Sequence, residues 1–240
     1  MHYAAAVGAF ENGDSGYVEA FASAYLAEDE PLLAARANAL DLGGTNPVLP
    51  ETGAALRFIA SAVGARAVVE IGTGCGSSGI WLLRGMRPGG TLTSVDTEPE
   101  YQRMARQVFT AAGFAANQSR LILGRALDVL PRLSDEAYDM VFCDADPRDY
   151  PDYLLAALRL LRPGGVVVFN EVLAEADRGP ASAFSFSPGS GSAFSSAVSS
   201  AAPDAADEIS LPSLVLEDER LVPMLLPVGN GLLAAVKRGG

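Results

Sequence analysis

Residues 68–79 read Val68-Val69-Glu70-Ile71-Gly72-Thr73-Gly74-Cys75-Gly76-Ser77-Ser78-Gly79. Branched apolar residues lead into an acid, three glycines follow at alternate positions, and a helix-compatible segment comes next. The pattern predicts a buried strand, a tight loop and a helix whose free N–H groups face a ligand. Glycines let the loop backbone approach a nucleotide-like group closely because they have no Cβ atom. The acid Glu70 would repel a pyrophosphate, so the stretch favours a ligand with positive charge.

Strands and helices alternate after this point. The predicted strands are Ala67–Ile71, Thr91–Asp96, Arg120–Gly124, Tyr138–Asp144 and Val166–Asn170. The predicted helices between them are Ser78–Met86, Pro99–Ala112, Ala126–Leu130 and Tyr150–Leu161. This alternation is typical of the α/β class, with a Rossmann-like, mostly parallel sheet and helices on both faces. Asn230-Gly231 between the apolar runs Leu221–Val228 and Leu232–Lys237 predicts an antiparallel C-terminal hairpin, which brings the sheet to seven strands.

The chain divides into two predicted parts. Residues 1–64 are expected to form an N-terminal helical segment that packs on the core, with helices at Tyr17–Ala27, Glu30–Leu40 and Pro50–Val63. Residues 65–240 form the main domain. Within it, residues 180–203 are rich in Ser, Ala, Gly and Pro, which predicts a flexible insert with one weak helix near residues 193–201.

Charge and composition exclude several function classes. The net charge of −12 leaves no basic stripe for displacing counterions, so nucleic acid is excluded as a partner. The single histidine, His2, removes histidine-based triads and metal sites. The two cysteines fit reduced thiols in a cytoplasmic protein. The N-terminal residues lack the features of a signal peptide, and no window reaches the length of a membrane span.

Acidic residues follow successive predicted strands. Glu70, Asp96, Asp144 with Asp146, and Glu171 lie at or near the strand ends. In a parallel sheet the carboxyl ends of the strands meet at one edge, where ligands bind. These acids therefore predict a binding site at that edge.

Here the chain resembles a known family. Glu70-x-Gly72-x-Gly74-x-Gly76 resembles motif I of the class I S-adenosylmethionine-dependent methyltransferases, and Asp96, 20 residues after Gly76, matches their ribose-binding acid. The segments 95–100, 124–131 and 141–146 resemble the bacterial O-methyltransferases related to the catechol and caffeoyl-CoA enzymes. The resemblance implies S-adenosylmethionine as cofactor, methyl transfer to a hydroxyl of a small-molecule acceptor, and a homodimer surface on the N-terminal helices.

The resemblance also implies residue roles. Asp96 would accept hydrogen bonds from both ribose hydroxyls, Ser78 would bind the cofactor carboxylate, and Asp144 would lie between cofactor and acceptor. Asp144 is thus predicted to be both catalytic and substrate-binding. The predicted cofactor-binding residues are Val48, Glu70, Gly72, Thr73, Gly74, Ser78, Asp96, Thr97, Ala126 and Asp146.

The chain departs from the metal-dependent relatives at two places. Those enzymes carry an Asp-Asn pair after the fifth strand and a lysine after Asp-Ala-Asp, where this chain has Asn170-Glu171 and Pro147. We therefore predict no metal ligands, although Asp144, Asn170 and Glu171 still offer oxygens suited to magnesium. Without a metal, proton transfer from a phenol to an ordinary carboxylate costs about 8 kcal/mol. Either the acceptor is then more acidic than a phenol, or burial raises the pKa of Asp144.

Two alternatives stay open at this point. Gly74-x-Gly76-x-x-Gly79 with Asp96 is compatible with a nicotinamide-dependent oxidoreductase. The altered metal and lysine positions are compatible with a catalytically silent protein that only binds S-adenosylmethionine.

Overall fold

Seven strands form a single mixed sheet in the computed structural model, which describes residues 26–173 and 210–239. The strands are β1 Ala67–Ile71, β2 Thr91–Asp96, β3 Ser119–Leu123, β4 Tyr138–Cys143, β5 Leu161–Phe169, β6 Leu221–Leu226 and β7 Leu232–Lys237. Their order across the sheet is β3-β2-β1-β4-β5-β7-β6. The first five strands are parallel, and β7 runs antiparallel to both β5 and β6. The predicted fold class is confirmed.

Helices connect and cover the strands. The α-helices in the described ranges are α1 Glu30–Leu42, α2 Pro50–Ala62, α3 Ser77–Gly85, α4 Pro99–Ala111, α5 Ala126–Val129, α6 Tyr150–Leu160 and α7 Leu211–Glu217. A proline stands in the first turn of five of them, namely α1, α2, α4, α6 and α7. The missing N–H of proline costs nothing there, because the first-turn N–H groups of a helix have no intrahelical partner.

Apolar side chains cover both faces of the sheet. On one face, strand residues such as Val68 and Phe142 pack with helix residues such as Leu56 and Phe109. On the other face, Val69 and its neighbours pack against α6 and α7. Strands buried on both faces read as continuous apolar runs, which explains why β1, β4 and β5 carry almost no polar residues.

Helices α2 and α3 pack closely because glycines lie between them. A Cβ atom on Gly53 would lie 2.2 Å from Nε1 of Trp81, and one on Gly85 would lie 2.3 Å from the carbonyl oxygen of Arg57. The α2 helix therefore packs on the helix that begins at the glycine loop. This places the α1–α2 connection, residues 43–49, over the carboxyl edge of the sheet.

Most predicted elements occur within a residue or two of their expected ends, with two differences. Helix α7 was not predicted. Strand β5 begins at Leu161 and not at Val166, because Leu161 already pairs with Tyr138. Residues 162–165 then leave the pairing register before Val166 pairs with Met140.

Three predictions fall outside the described residues. They are the flexible insert at 180–203, the weak helix near 193–201, and the Tyr17–Ala27 helix apart from its last two residues, which are not helical. None of the helices in the described ranges has the length and apolar character needed to cross a membrane.

Candidate active site

Two adjoining cavities lie at the carboxyl edge of the parallel strands. The larger has a volume of about 300 Å³ and the smaller about 210 Å³. Gly72, Gly74 and Asp144 line both cavities. The other predicted site residues divide between them, with Val48, Thr73, Ser78 and Asp146 in the larger cavity and Asp96, Thr97 and Ala126 in the smaller. Of the predicted set, Glu70 alone lines neither.

Gly72 brings the end of β1 against the end of β4. Its φ of 94° is a left-handed conformation that favours glycine, and a Cβ atom there would lie 2.1 Å from the carbonyl oxygen of Asp144. The N–H of Asp144 donates to the carbonyl of Ile71 at 2.8 Å. This close approach leaves room for a ligand above the two strand ends.

Asp96 holds the glycine loop. One carboxylate oxygen accepts hydrogen bonds from the backbone N–H groups of Thr73 and Gly74, both at 2.9 Å. The other accepts from the N–H of Glu98, also at 2.9 Å. Each carboxylate oxygen can accept more than one hydrogen bond. Asp96 can therefore bind the loop and still accept a hydrogen bond from a ligand hydroxyl in the smaller cavity.

Glu70 lies behind the cavity wall and not at its rim. The residue is 0% exposed, and its two carboxylate oxygens accept hydrogen bonds from the hydroxyls of Ser78 and Ser94 at 2.7 and 2.5 Å. The Ser94 hydroxyl also lies 2.7 Å from that of Thr73. Burial raises the pKa of Glu70 to about 8, despite the two serine hydrogen bonds that lower it. Glu70 therefore connects the start of α3 with β2 and the glycine loop.

The two serines at the start of α3 differ in their hydrogen bonds. The Ser78 hydroxyl donates a hydrogen bond to Oε1 of Glu70. Ser77 lines the larger cavity. Its hydroxyl is buried and has no hydrogen-bond partner within the described part of the chain. A buried hydroxyl without a partner is uncommon, so Ser77 beside free helix N–H groups fits an anionic ligand group. The sequence predicts this role for Ser78 and gives no signal for Ser77.

Asp144 is partly buried between the cavities. Its Oδ1 accepts a hydrogen bond from Nδ2 of Asn170 at 2.9 Å, the sole hydrogen bond to this carboxylate within residues 26–173 and 210–239. Burial raises the pKa of Asp144 to about 6, and the nearby charge of Glu171 acts in the same direction. The hydroxyl of Tyr150 donates to the carbonyl of Asn170 at 3.0 Å and links α6 to the end of β5.

Asp146 is exposed and paired with Arg148. Its carboxylate accepts hydrogen bonds from the backbone N–H and the guanidinium of Arg148, and this pairing lowers the pKa of Asp146. Asp146 also caps the 3₁₀ turn Pro147–Asp149. Asp146 therefore lines the larger cavity as an ionised carboxylate whose charge is balanced by Arg148.

The connection between α1 and α2 covers both cavities and is tied down at each end. Tyr101 in α4 donates its hydroxyl to the carbonyl of Gly43 at 2.7 Å. Arg36 in α1 donates to the carbonyl of Val48 at 2.9 Å and pairs with Glu28 at 2.7 Å. Neither Arg36 nor Tyr101 is among the predicted site residues, and no local pattern at Tyr101 reveals a contact across 58 positions.

The described residues do not fit the metal site of the metal-dependent relatives. Among them, no three His, Cys, Asp or Glu side chains lie together in a way that could hold a metal ion. Asn170 presents its Nδ2 donor to Asp144, and not the oxygen that magnesium would require.

Comparisons with known proteins agree on one family. A family model described as O-methyltransferase matches residues 27–185. A curated relative from Mycobacterium sp. (strain KMS), provisionally named an O-methyltransferase, is 46% identical over 220 residues, which are 92% of each chain. The O-methyltransferase TomG from Streptomyces achromogenes, solved with S-adenosylmethionine, is 30% identical with a TM-score of 0.73, over 92% of this chain and 96% of that one. An O-methyltransferase from Bacillus cereus, solved with S-adenosylhomocysteine, is 26% identical with a TM-score of 0.71, over 92% of this chain and 97% of that one.

Proposed function

Because this chain belongs to the O-methyltransferase family, we propose that its two adjoining cavities hold S-adenosylmethionine and a small hydroxylated acceptor. The chain is an S-adenosylmethionine-dependent O-methyltransferase. The two cavities meet at Gly72 and Asp144, on the carboxyl edge of the sheet, and this observation supports the placement of the site there. An oxidoreductase is disfavoured, because the family and the relatives are methyltransferases. A silent binding protein is distinguished from the enzyme by the assay for methyl transfer.

The smaller cavity suits the nucleoside. Asp96 would accept hydrogen bonds from the ribose hydroxyls, and Thr97 and Ala126 line the same cavity on the adenine side. Thr73 and Gly74, which Asp96 holds in place, form the loop that the ligand would cross. The nucleoside would therefore lie on a loop that is held in place by Asp96, the same residue that would bind its ribose.

The larger cavity suits the methionyl end and the acceptor. Ser77 and the first N–H groups of α3 would bind the carboxylate of the cofactor, with Ser78 held beside them by Glu70. Val48 would cover the ligand, since Arg36 holds its carbonyl. Bound S-adenosylmethionine supplies an electrophilic methyl group on a positively charged sulfur. Asp146 lines the same cavity and would lie between the cofactor and the acceptor.

Asp144 is the residue that would accept the proton of the acceptor hydroxyl. With a pKa of about 6, its carboxylate is still ionised at neutral pH and is a better base than an ordinary aspartate. Proton transfer from a phenol then costs about 5 kcal/mol and not about 8. Asn170 fixes one oxygen of Asp144 and leaves the other for the acceptor. The remaining requirement is alignment of the hydroxyl with the methyl group, which the cavity walls provide.

The cellular setting belongs to the same proposal. We place the enzyme in the cytoplasm, in keeping with Cys75 and Cys143, which are both buried free thiols. We also propose a homodimer through the outer face of α1 and α2, where Leu40 and Phe58 are 76% and 73% exposed. Light scattering should give twice the mass of one chain, and Phe58→Glu should halve it.

Transfer of labelled methyl groups tests the proposed reaction. The purified chain is incubated with methyl-labelled S-adenosylmethionine and a panel of small phenols and catechols, and the products are separated and analysed. We expect label on an acceptor oxygen, together with S-adenosylhomocysteine in equal amount. Binding of S-adenosylhomocysteine without methylation of any acceptor in a broad panel would contradict the enzymatic role.

A further inference from the structure

We propose that Glu171 selects acceptors that carry a positive charge, so that the preferred acceptor is a small hydroxylated amine. This inference rests on the proposed function, because it places the acceptor in the larger cavity. Glu171 lies two residues after the end of β5, is half-buried, and lines that cavity together with Asp144 and Asp146. Its charge therefore faces the space that the acceptor would occupy.

The backbone at Glu171 is held in a conformation that most residues avoid. Its φ of 58° lies in the left-handed region, which costs a non-glycine residue about 1 kcal/mol. The side chain is in turn held by Nδ2 of Asn230, in the hairpin loop, which donates to Oε1 at 3.1 Å. Asn230 is neutral, so this contact orients the carboxylate without cancelling its charge.

No residue in the described ranges compensates the charge of Glu171. Asp146 is neutralised by Arg148, whereas neither Asp144 nor Glu171 forms an ion pair with any described residue. The residues that line the two cavities include no Lys, Arg or His. The stretches outside the described ranges contain Arg178 as their only Lys or Arg.

The cofactor balances only one of the two carboxylates. Its net charge is a single positive unit, because its α-ammonium and carboxylate groups offset each other, and its sulfonium would lie nearest Asp144, at the junction of the cavities. Glu171 is then left as a negative charge in a partly enclosed space, where solvent screens it less than at an open surface. An ammonium group on the acceptor would be attracted to it. A carboxylate or phosphate group on the acceptor would be repelled.

A matched set of three catechols tests the inference. The ring is the same in each, and the tail at carbon 4 is aminoethyl, ethyl or carboxymethyl. Binding to protein saturated with S-adenosylhomocysteine and kcat/KM for methylation are both measured after EDTA treatment. We expect the aminoethyl compound to exceed the ethyl compound by about tenfold in both measurements, and the carboxymethyl compound to be the poorest.

Variants identify the residue responsible. Glu171→Gln should reduce the aminoethyl preference to about twofold or less, and Glu171→Lys should shift it towards the carboxymethyl compound. Glu136→Gln is the matched control, because Glu136 is the other described non-glycine residue with positive φ and lies far from the cavities, paired with Lys237. This control should retain the preference of the unmodified protein.

The outcomes separate this inference from the function on which it rests. Equal kcat/KM for the three catechols, or an aminoethyl preference that survives Glu171→Gln, would overturn the role of Glu171 but leave the methyltransferase activity in place. Magnesium binding to the protein that is lost in Glu171→Gln would also overturn it, by making Glu171 a metal ligand. Failure to methylate any catechol or phenol, with S-adenosylhomocysteine bound, would remove the proposed function and this inference with it.

Discussion

Asp96 accepts a 2.9 Å hydrogen bond from the backbone N–H of Gly74, which lies 22 positions earlier in the chain. One side chain at the end of β2 thus holds the loop that follows β1. Asp96, the predicted ribose-binding residue, is thus bonded to the glycine loop. A substitution in either one should therefore weaken binding of the whole cofactor.

Replacing Asp96 by alanine should weaken binding of S-adenosylhomocysteine by about 1.5–3 kcal/mol, the usual range for hydrogen bonds to a charged group. Calorimetric titration measures the change. Asp139→Ala is the matched control, because Asp139 also accepts two backbone N–H groups, those of Arg66 and Ala67. Asp139 belongs to the amino end of β4, so this control should destabilise the fold and leave the affinity as it was. Equal affinity in Asp96→Ala and the unmodified chain would remove Asp96 from the ribose role.

Replacing Gly72 by alanine should disrupt the site far more than the same change at another glycine of similar conformation. The new Cβ atom would lie 2.1 Å from the carbonyl oxygen of Asp144, which forces the ends of β1 and β4 apart. Gly113 has a φ of 86° but nothing within 4 Å of a Cβ atom, so Gly113→Ala isolates the backbone strain, about 1 kcal/mol. Thermal unfolding and cofactor titration compare the two, and similar losses in both variants would contradict the close approach at Gly72.

Asp144→Asn should leave the affinity for S-adenosylhomocysteine, which has no sulfonium charge, nearly unchanged while reducing kcat by about 100-fold or more, the usual effect of losing a general base. In the unmodified enzyme, kcat should fall as pH decreases through about 6, because a protonated Asp144 cannot accept the acceptor proton. The variant should lose this dependence. Asp152→Asn, on the exposed side of α6, serves as the control. Unchanged turnover in Asp144→Asn would show that the acid is not catalytic.

Glu70 should make the free energy of unfolding depend on pH in an unusual direction. The unfolded chain releases this proton near 4.5 and the folded chain at about 8, so the folded state binds more protons between these values. Stability contributed by this group therefore falls as pH rises through that window, by about 3–5 kcal/mol in total. Glu70→Gln should lack this loss, whereas Glu217→Gln on the surface should follow the unmodified chain. Denaturant unfolding at about pH 5 and about pH 8 measures the difference, and parallel curves for Glu70→Gln and the unmodified chain would refute it.

The strands could be predicted from sequence because their cause is local. Apolar runs such as 67–71 and proline-glycine breaks such as 162–165 stand in the sequence, and the parallel topology follows from their alternation with helices. Helix α7 has a local signal too, since Ser210 caps it and Leu211, Leu214 and Val215 follow at helical spacing. It was missed because it is short and borders a stretch of low complexity.

The sequence predicts that the site lies at the carboxyl edge of the sheet, but it does not predict the position of each side chain there. An acid at the rim and an acid facing a buried helix look the same in a strand that is covered on both faces, so Glu70 could not be placed from its neighbours. Its position depends on Ser94, 24 residues away. The same holds for Ser77 and Ser78. Only the contact with Glu70 distinguishes the Ser78 hydroxyl from that of Ser77, which has no partner among the described residues.

Titration of the purified chain with S-adenosylhomocysteine shows whether the carboxyl edge of the sheet is a cofactor site. We expect saturable binding of one molecule per chain, weakened in Asp96→Ala and retained in Asp139→Ala. If the chain takes up none of this nucleoside at millimolar concentration, while its far-UV and near-UV spectra show it to be folded, the two cavities are not a cofactor site.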